Sequence, residues 1–240
     1  MTQQQALGTQ DLMTSVESVA ERVFDAVERL RRHVLERWES VIARHEPLRG
    51  KDIAGLRDGV LELLAEQRDL VVGMGLIVTP GLLPDEQRRL EWWQYVPGHR
   101  EPAALRVDLN PDSMGFYEYD SADWFAVPRS SGQRHIVGPY VDAHGTDRYL
   151  LTFTMPVLDG SEFLGVVGAD VPVSRFETRL LRAWGRQDND VLVVNSDRRV
   201  VVSNSARELA GDLSSGAGPN HVSVQIPGLP WQLLVAPRMR

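Results

Sequence analysis

The chain has 240 residues, 42% of them hydrophobic and 25% charged, with a formal net charge of −7. Those proportions suit a globular protein with a real core and exclude wholesale disorder, and the acidic balance excludes polyanion binding by the chain as a whole. Cysteine is absent, which removes disulfides, thiolate catalysis and cysteine zinc sites, and Lys51 is the only lysine for Schiff-base or phosphate-loop chemistry.

Residues 1–13 are polar and Gln-rich and read as a disordered N-terminus, without the basic start and apolar stretch of a signal peptide. From 14 to 44 apolar side chains recur at Val16, Val19, Val23, Val27, Leu30, Val34, Trp38 and Val41, steps of three and four that make one helical stripe. Thr14 and Glu17 stand in capping-box spacing at its start. Arg29, Arg31 and Arg32 cluster on this helix, and the acids interleaved with them make a solvated face the simpler reading. The stripe is more than a lone helix leaves in water, so a homodimer through the N-terminal helix is expected. Residues 52–68 give a second helix and complete an N-terminal helical region over 14–68. No run of about 18 apolar residues marks a membrane span.

Strand character begins at 70–79 and continues at 89–96 and 105–109, with Trp92 and Trp93 read as core. A helix is predicted over 114–127, then strands over 135–142, 148–157 and 162–170, with turns at Gly145 and at Asp159-Gly160. Residues 174–184 form a helix with Ser174 as cap and Glu177 three residues on. Four more strands follow, at 191–194, 199–203, 222–226 and 231–235, with Trp231 in the core. Strands dominate without β-α-β alternation, so the fold class is α+β with an antiparallel sheet. The organisation expected is a ligand-binding module over 69–185 and a shortened second β-rich module over 186–240.

The segment from Phe116 to Phe125 is the chemically densest. On a helix Tyr117, Asp120 and Trp124 share one face, and Tyr119 and Asp123 the next. Aromatic walls with carboxylates between them make a receptor for an organic cation, although the same spacing also suits a core-packing helix with solvated acids. Tyr140 and Asp142 fall on one side of a strand. In the strand that follows, Tyr149, Leu151, Phe153 and Met155 make a bulky face, and Thr152 and Thr154 a small polar one. Asp170 ends an apolar strand, where a carboxylate needs a hydrogen-bond donor, a cation or a ligand. Six histidines are scattered without paired metal spacing, and His144 near Asp142 and Asp147 reads as a polar turn, so no catalytic residue, metal or cofactor is expected.

Trp124-Phe125, then Gly-Pro-Tyr140-x-Asp142, then the Leu151 to Val157 strand, then Gly165-Val-Val-Gly-Ala-Asp170 with a following helix resemble the Cache family. Its members are PAS-like ligand sensors of chemoreceptors and sensor kinases. The final strands resemble a shortened second module of a double Cache domain. The resemblance implies a non-enzymatic sensor whose pocket includes Tyr117, Trp124, Phe125, Tyr140, Asp142 and Asp170, to which Asp123 adds an acid and Thr154 a hydroxyl. Ala122 stands where amino-acid-binding members carry the arginine that holds a ligand carboxylate. The ligand expected is therefore an amine or polyamine. An amino acid held by Arg106, Arg129 or Arg134 is the alternative, and an interaction module without ligand or a hydrolase the more distant ones. The expected protein is cytoplasmic, without membrane insertion or nucleic-acid binding, and acts through a separate signalling or regulatory protein.

Overall fold

The structure, a computed structural model, describes residues 3–142, 148–215 and 221–238. Three helices come first: α1 (Gln3–Ile42), α2 (Gly50–Ala54) and α3 (Arg57–Glu66). Strands β1 (Gly73–Val78), β2 (Leu90–Gln94) and β3 (Ala103–Ala104) precede a 3-10 turn (Tyr119–Ser121) and α4 (Asp123–Ser131). Then come β4 (His135–Val141), β5 (Tyr149–Asp159), β6 (Glu162–Pro172), α5 (Val173–Trp184), β7 (Asn189–Asn195), β8 (Val200–Ser203), β9 (Val222–Gln225) and β10 (Trp231–Pro237). The strands form two antiparallel sheets, a six-stranded one in the order β3-β2-β1-β6-β5-β4 and a four-stranded one in the order β8-β7-β10-β9. This is the α+β architecture expected, a long N-terminal helix leading into PAS-like antiparallel sheets.

The larger sheet has two working faces because side chains alternate along a strand. One face presents Met74, Leu76 and Val78 from β1, Val167, Ala169 and Val171 from β6, and Leu151, Phe153 and Val157 from β5. All eight apolar stripe positions of α1, from Val16 to Val41, are buried in the same core. Phe24 meets Phe153 edge-on at 5.2 Å between ring centroids. The stripe is thus covered by the chain's own sheet, which removes the physical reason for a homodimer along it. Arg29 pairs with Glu66, and Arg31 with Glu28 at 2.7 Å, so these two members of the basic cluster are neutralised within the helical region. Helix α5 joins the two sheets, since Phe176 packs at 6.3 Å from Phe153 and 5.5 Å from Trp231 of β10.

Several local expectations are corrected. Residues 3–13 are helical rather than disordered, and α1 runs through Thr14 without a break. Leu12 and Met13 are buried and extend the apolar stripe upstream, and adding a turn to an existing helix costs little once its nucleus is formed. The helix over 52–68 is two short ones with Gly55 between them. The strand over 105–109 is absent, and a single bridge joins Asp108 to Phe116 there. The helix over 114–127 does not form: Tyr117 lies in irregular chain, a 3-10 turn follows, and α4 starts at Asp123. Helix α5 starts at Val173 with Pro172 at its cap and no side-chain capping bond, so Ser174 does not cap it. The turn holding Gly145, His144 and Asp147 lies outside the described residues.

Leu30 is fully buried where α1 crosses the core. Leu30→Ala should cost about 2–5 kcal/mol of stability, read as a lower denaturation midpoint with an unchanged slope in urea.

Candidate functional site

On its other face the six-stranded sheet carries a different surface. Its register sets Gly73 opposite Asp170, Asp170 opposite Thr152, and Gly168 opposite Thr154. These small and polar residues form the floor of a cleft. The roof is the chain from Leu105 to Ser131, and it is tied down at several points. The Tyr119 hydroxyl donates to the Val78 carbonyl at 2.8 Å, and the Leu105 N–H donates to the Trp92 carbonyl at 2.8 Å. Arg88 pairs with Asp120 and lies over the rings of Phe116 and Tyr119, 4.9 and 5.2 Å from their centroids.

Between floor and roof lies an outer cavity of about 380 Å³, lined by Phe116, Tyr117, Glu118, Tyr119, Ala122, Trp124, Tyr140, Val141 and Asp142. Behind it is an inner chamber of about 20 Å³. Trp92, Thr152, Thr154 and Asp170 line this chamber, and Tyr117, Trp124, Tyr140 and Asp142 line both spaces. A chamber of that size has room for roughly one water molecule or a group as small as an ammonium. Tyr117 and Trp124 stack 6.5 Å apart with 25° between their planes, giving the cavity an aromatic wall.

Tyr140 reaches this face through an irregularity. Val137 pairs with Thr152 but Tyr140 pairs with Leu150, so β4 holds one extra residue and its alternation flips. Gly138 makes that bulge possible, for its φ is +119° and a Cβ there would stand 2.6 Å from the Leu150 carbonyl oxygen. The Tyr140 hydroxyl lies 2.9 Å from Thr152 Oγ1, and Thr152 Oγ1 donates to Asp170 Oδ1 at 2.8 Å. Thr152 has one proton and gives it to the carboxylate, so Tyr140 is the donor in the outer bond.

Asp170 is 6% exposed, and burial pushes its carboxyl up to about 7. The Thr152 hydrogen bond opposes that shift, Asp142 adds to it, and Arg148 opposes it. Burial likewise raises the Tyr117 and Tyr140 hydroxyls well above the ordinary phenol value, with Asp142 and Asp170 adding to the effect. Both tyrosines therefore stay protonated donors at neutral pH. Among the described residues, the charged side chains lining the two spaces are Asp142, Asp170 and Glu118, and no Lys, Arg or His lines either one.

Among the residues expected at the site, Tyr117, Trp124, Tyr140, Asp142, Thr154 and Asp170 line it. Asp123 does not: it is exposed at the first position of α4, near His135. Phe125 is fully buried behind the wall, packed on Tyr119 at 5.5 Å and Phe163 at 5.4 Å. Both corrections follow from where α4 begins, because a helix starting at residue 123 turns those two side chains away from the cleft. The possible carboxylate clamps also lie elsewhere. Arg134 bonds Glu21 and covers Phe24, Arg129 lies over Phe125, and Arg106 is exposed. Trp92, Thr152 and Glu118 line the site without having been expected there. The alternation along β5 pointed to Thr152, whereas nothing local distinguishes Trp92 from its neighbour Trp93. Among the described residues no group of three His, Asp or Glu side chains is placed to hold a metal ion, and no helix is long and apolar enough to cross a membrane.

Residues 60–178 match the sequence model of the methyl-accepting chemotaxis protein-like first PDC sensor domain. No curated protein matches the chain by sequence. Among solved structures the chain resembles "Methyl-accepting Chemotaxis protein X", with a TM-score of 0.60 and 16% identity over 98% of this chain and 99% of that one. The ligand-binding domain of the Pseudomonas aeruginosa PAO1 amino acid chemoreceptor PctB, solved with L-Arg, gives 0.59 and 16% identity over 96% and 92%. The extracellular domain of the putative histidine kinase mmHK1S-Z3 gives 0.57 and 12% identity over 94% and 89%. These relatives overturn the cytoplasmic placement, since the kinase domains among them are extracellular and the others belong to chemoreceptors. The polar N-terminus and the lack of an apolar run had suggested the cytoplasm. The helix, the antiparallel sheet and the cleft over its polar face therefore have one common explanation: residues 60–178 match a PDC sensor domain of the Cache type, and the chain shares the fold of solved chemoreceptor and kinase sensor domains.

Proposed function

We propose that this chain senses a small metabolite bearing a protonated amine, held by Asp142 and Asp170 between the rings of Tyr117, Trp124 and Tyr140. The observation that carries the reading is a cleft whose charged lining side chains, among the described residues, are all acids. An ammonium entering the inner chamber would meet the Asp170 carboxylate, the Thr152 and Tyr140 hydroxyl oxygens, and π-faces that favour a cation. Relatives solved with L-Arg and L-valine favour an α-amino acid as the ligand class. A plain amine or polyamine is the second reading. It is favoured by Ala122, which leaves the wall without a guanidinium to hold a ligand carboxylate.

The chain would serve as the input unit of a chemoreceptor or kinase signalling system outside the cytoplasm, as the matched domains do in their own proteins. Ligand binding would draw roof and floor together and shift a population of conformers; no bond is made or broken.

Calorimetry with an amino acid, its decarboxylated amine and its deaminated acid tests the proposal. The two amine-bearing ligands should bind and the deaminated acid should not; acids binding while amines stay inert would end it. Asp170→Asn keeps the shape and removes the charge, so it should weaken amine-bearing ligands about tenfold or more.

Proton linkage supplies a second check. An acid with a folded pKa near 7 and an ordinary unfolded one binds more protons in the native state between those values. Ligand-free protein should therefore lose stability as pH rises from about 4 through 7, and Asp170→Asn should flatten that slope in thermal melts. A cationic ligand favours the ionised carboxylate, so its affinity should rise between pH 6 and 8 with proton release on binding. Asp142, Arg148, Tyr117 and Tyr140 are the neighbouring groups whose substitution would shift that profile.

A further inference from the structure

Trp92 lies flat against the cleft floor. A Cβ on Gly73 would stand 2.8 Å from Trp92 Nε1 and 3.4 Å from Asp170 Oδ2, and a Cβ on Gly168 would stand 3.4 Å from Trp92 Cη2. The ring is therefore laid across two strands on backbone that carries no side chains, with its nitrogen at the Asp170 end. Trp92 is 5% exposed, it lines the inner chamber, and its Nε1 has no hydrogen-bond partner. An indole N–H is a donor and nothing else, and a buried donor left unpaired costs on the order of 1–3 kcal/mol. Such a group in a ligand cavity is a vacant half of a hydrogen bond.

We propose that the Trp92 indole N–H is a ligand-binding donor that receives an acceptor oxygen of the ligand beside the ammonium held by Asp170, and so selects α-amino acids or their amides over plain amines. This rests on the amine-bearing ligand proposed above and adds how such a ligand's second polar group is recognised. Gly73 brings donor and carboxylate to one point, so the ligand must offer an acceptor within a few bonds of its ammonium. The chamber holds little more than one small group, so the ligand's ammonium and oxygen would share it with the adjoining outer cavity, where Tyr140 and Asp142 line both spaces. The indole thus takes the part that a guanidinium cannot play where Ala122 stands. A neutral donor to a carboxylate is weaker than a bidentate cation, so the resulting preference is moderate.

The test compares wild type and Trp92→Phe by calorimetry against an amino acid, its amide and its decarboxylated amine. Trp92→Phe keeps an aromatic ring and removes the N–H. It should weaken the amino acid and the amide about tenfold and leave the amine unchanged. Equal weakening of all three ligands, or of none, would overturn the proposal, since a purely structural Trp92 does not discriminate between them. Gly73→Ala, which sets a methyl against Nε1, should impose the same selective loss and serves if Trp92→Phe fails to fold. The Trp92 indole N–H resonance of wild-type protein gives an independent reading. It should shift downfield on saturation with the amino acid and far less with the amine. Should amines and amino acids both fail to bind wild type, the amine reading falls by itself. A shift of that resonance with short carboxylates would still support the Trp92 donor, and its silence to every ligand would overturn it.

Discussion

A carboxylate buried on the floor of a β-sheet, with one threonine hydroxyl as its hydrogen-bonding side chain, is the constraint around which this molecule is arranged. Burial opposes the charge on Asp170, and a single hydroxyl does not repay the desolvation. In a core meant only for stability an apolar residue would serve better. The surrounding surface answers the need in part: Tyr140 reinforces Thr152, and two phenols stay protonated as donors around the cleft. Arg148 acts on the carboxyl without lining the space in front of it, and among the described residues no cation lines that space.

That surface exists because the sheet's opposite face is fully committed. Helix α1 packs its apolar stripe into the core that also takes Leu151, Phe153, Val167, Ala169 and Val171 of β5 and β6, which leaves Thr152, Thr154 and Asp170 on the other face for the cleft. Period-two alternation turns one packing decision into two chemically distinct faces. The roof completes the site at modest cost, through the Tyr119 bond to Val78, the Arg88 clamp on Asp120 and edge-to-face packing around Phe125.

The acidic lining also bears on how relatives inform this chain. Solved domains of the same fold hold L-Arg and L-valine, yet their identity to this chain is 16% or less. Shared fold positions the cleft and leaves its chemistry to individual side chains. In this chain the wall carries Ala122 and no cation among the described residues, and Trp92 Nε1 has no hydrogen-bond partner. On the readings proposed above, such a site would meet the ammonium with formal charge and the other end of the ligand with a neutral hydrogen bond.

Much of this was legible in the residue order. The stripe of α1, the alternation of β5, the acid at the end of β6 and the fold class all follow from local periodicity, because burial on one face writes itself into spacing. Tyr117, Trp124, Tyr140, Asp142, Thr154 and Asp170, expected at the site on that basis together with the family resemblance, line the cleft. The sequence did not show that α4 begins at Asp123, since Phe116 to Phe125 has helical spacing and contacts from distant residues, among them the Arg88 clamp, the Val78 carbonyl and the Asp108 bridge, hold it in another shape. That one boundary moved Asp123 into solvent and Phe125 into the core. Nor did it show that the α1 stripe would be covered by the chain's own sheet, or that Trp92 would lie on glycines next to Asp170. Those juxtapositions join residues tens of positions apart, and their geometry is set by strand register, which no local pattern encodes. Spacing determined which side chains share a face, and the tertiary fold decided which faces meet.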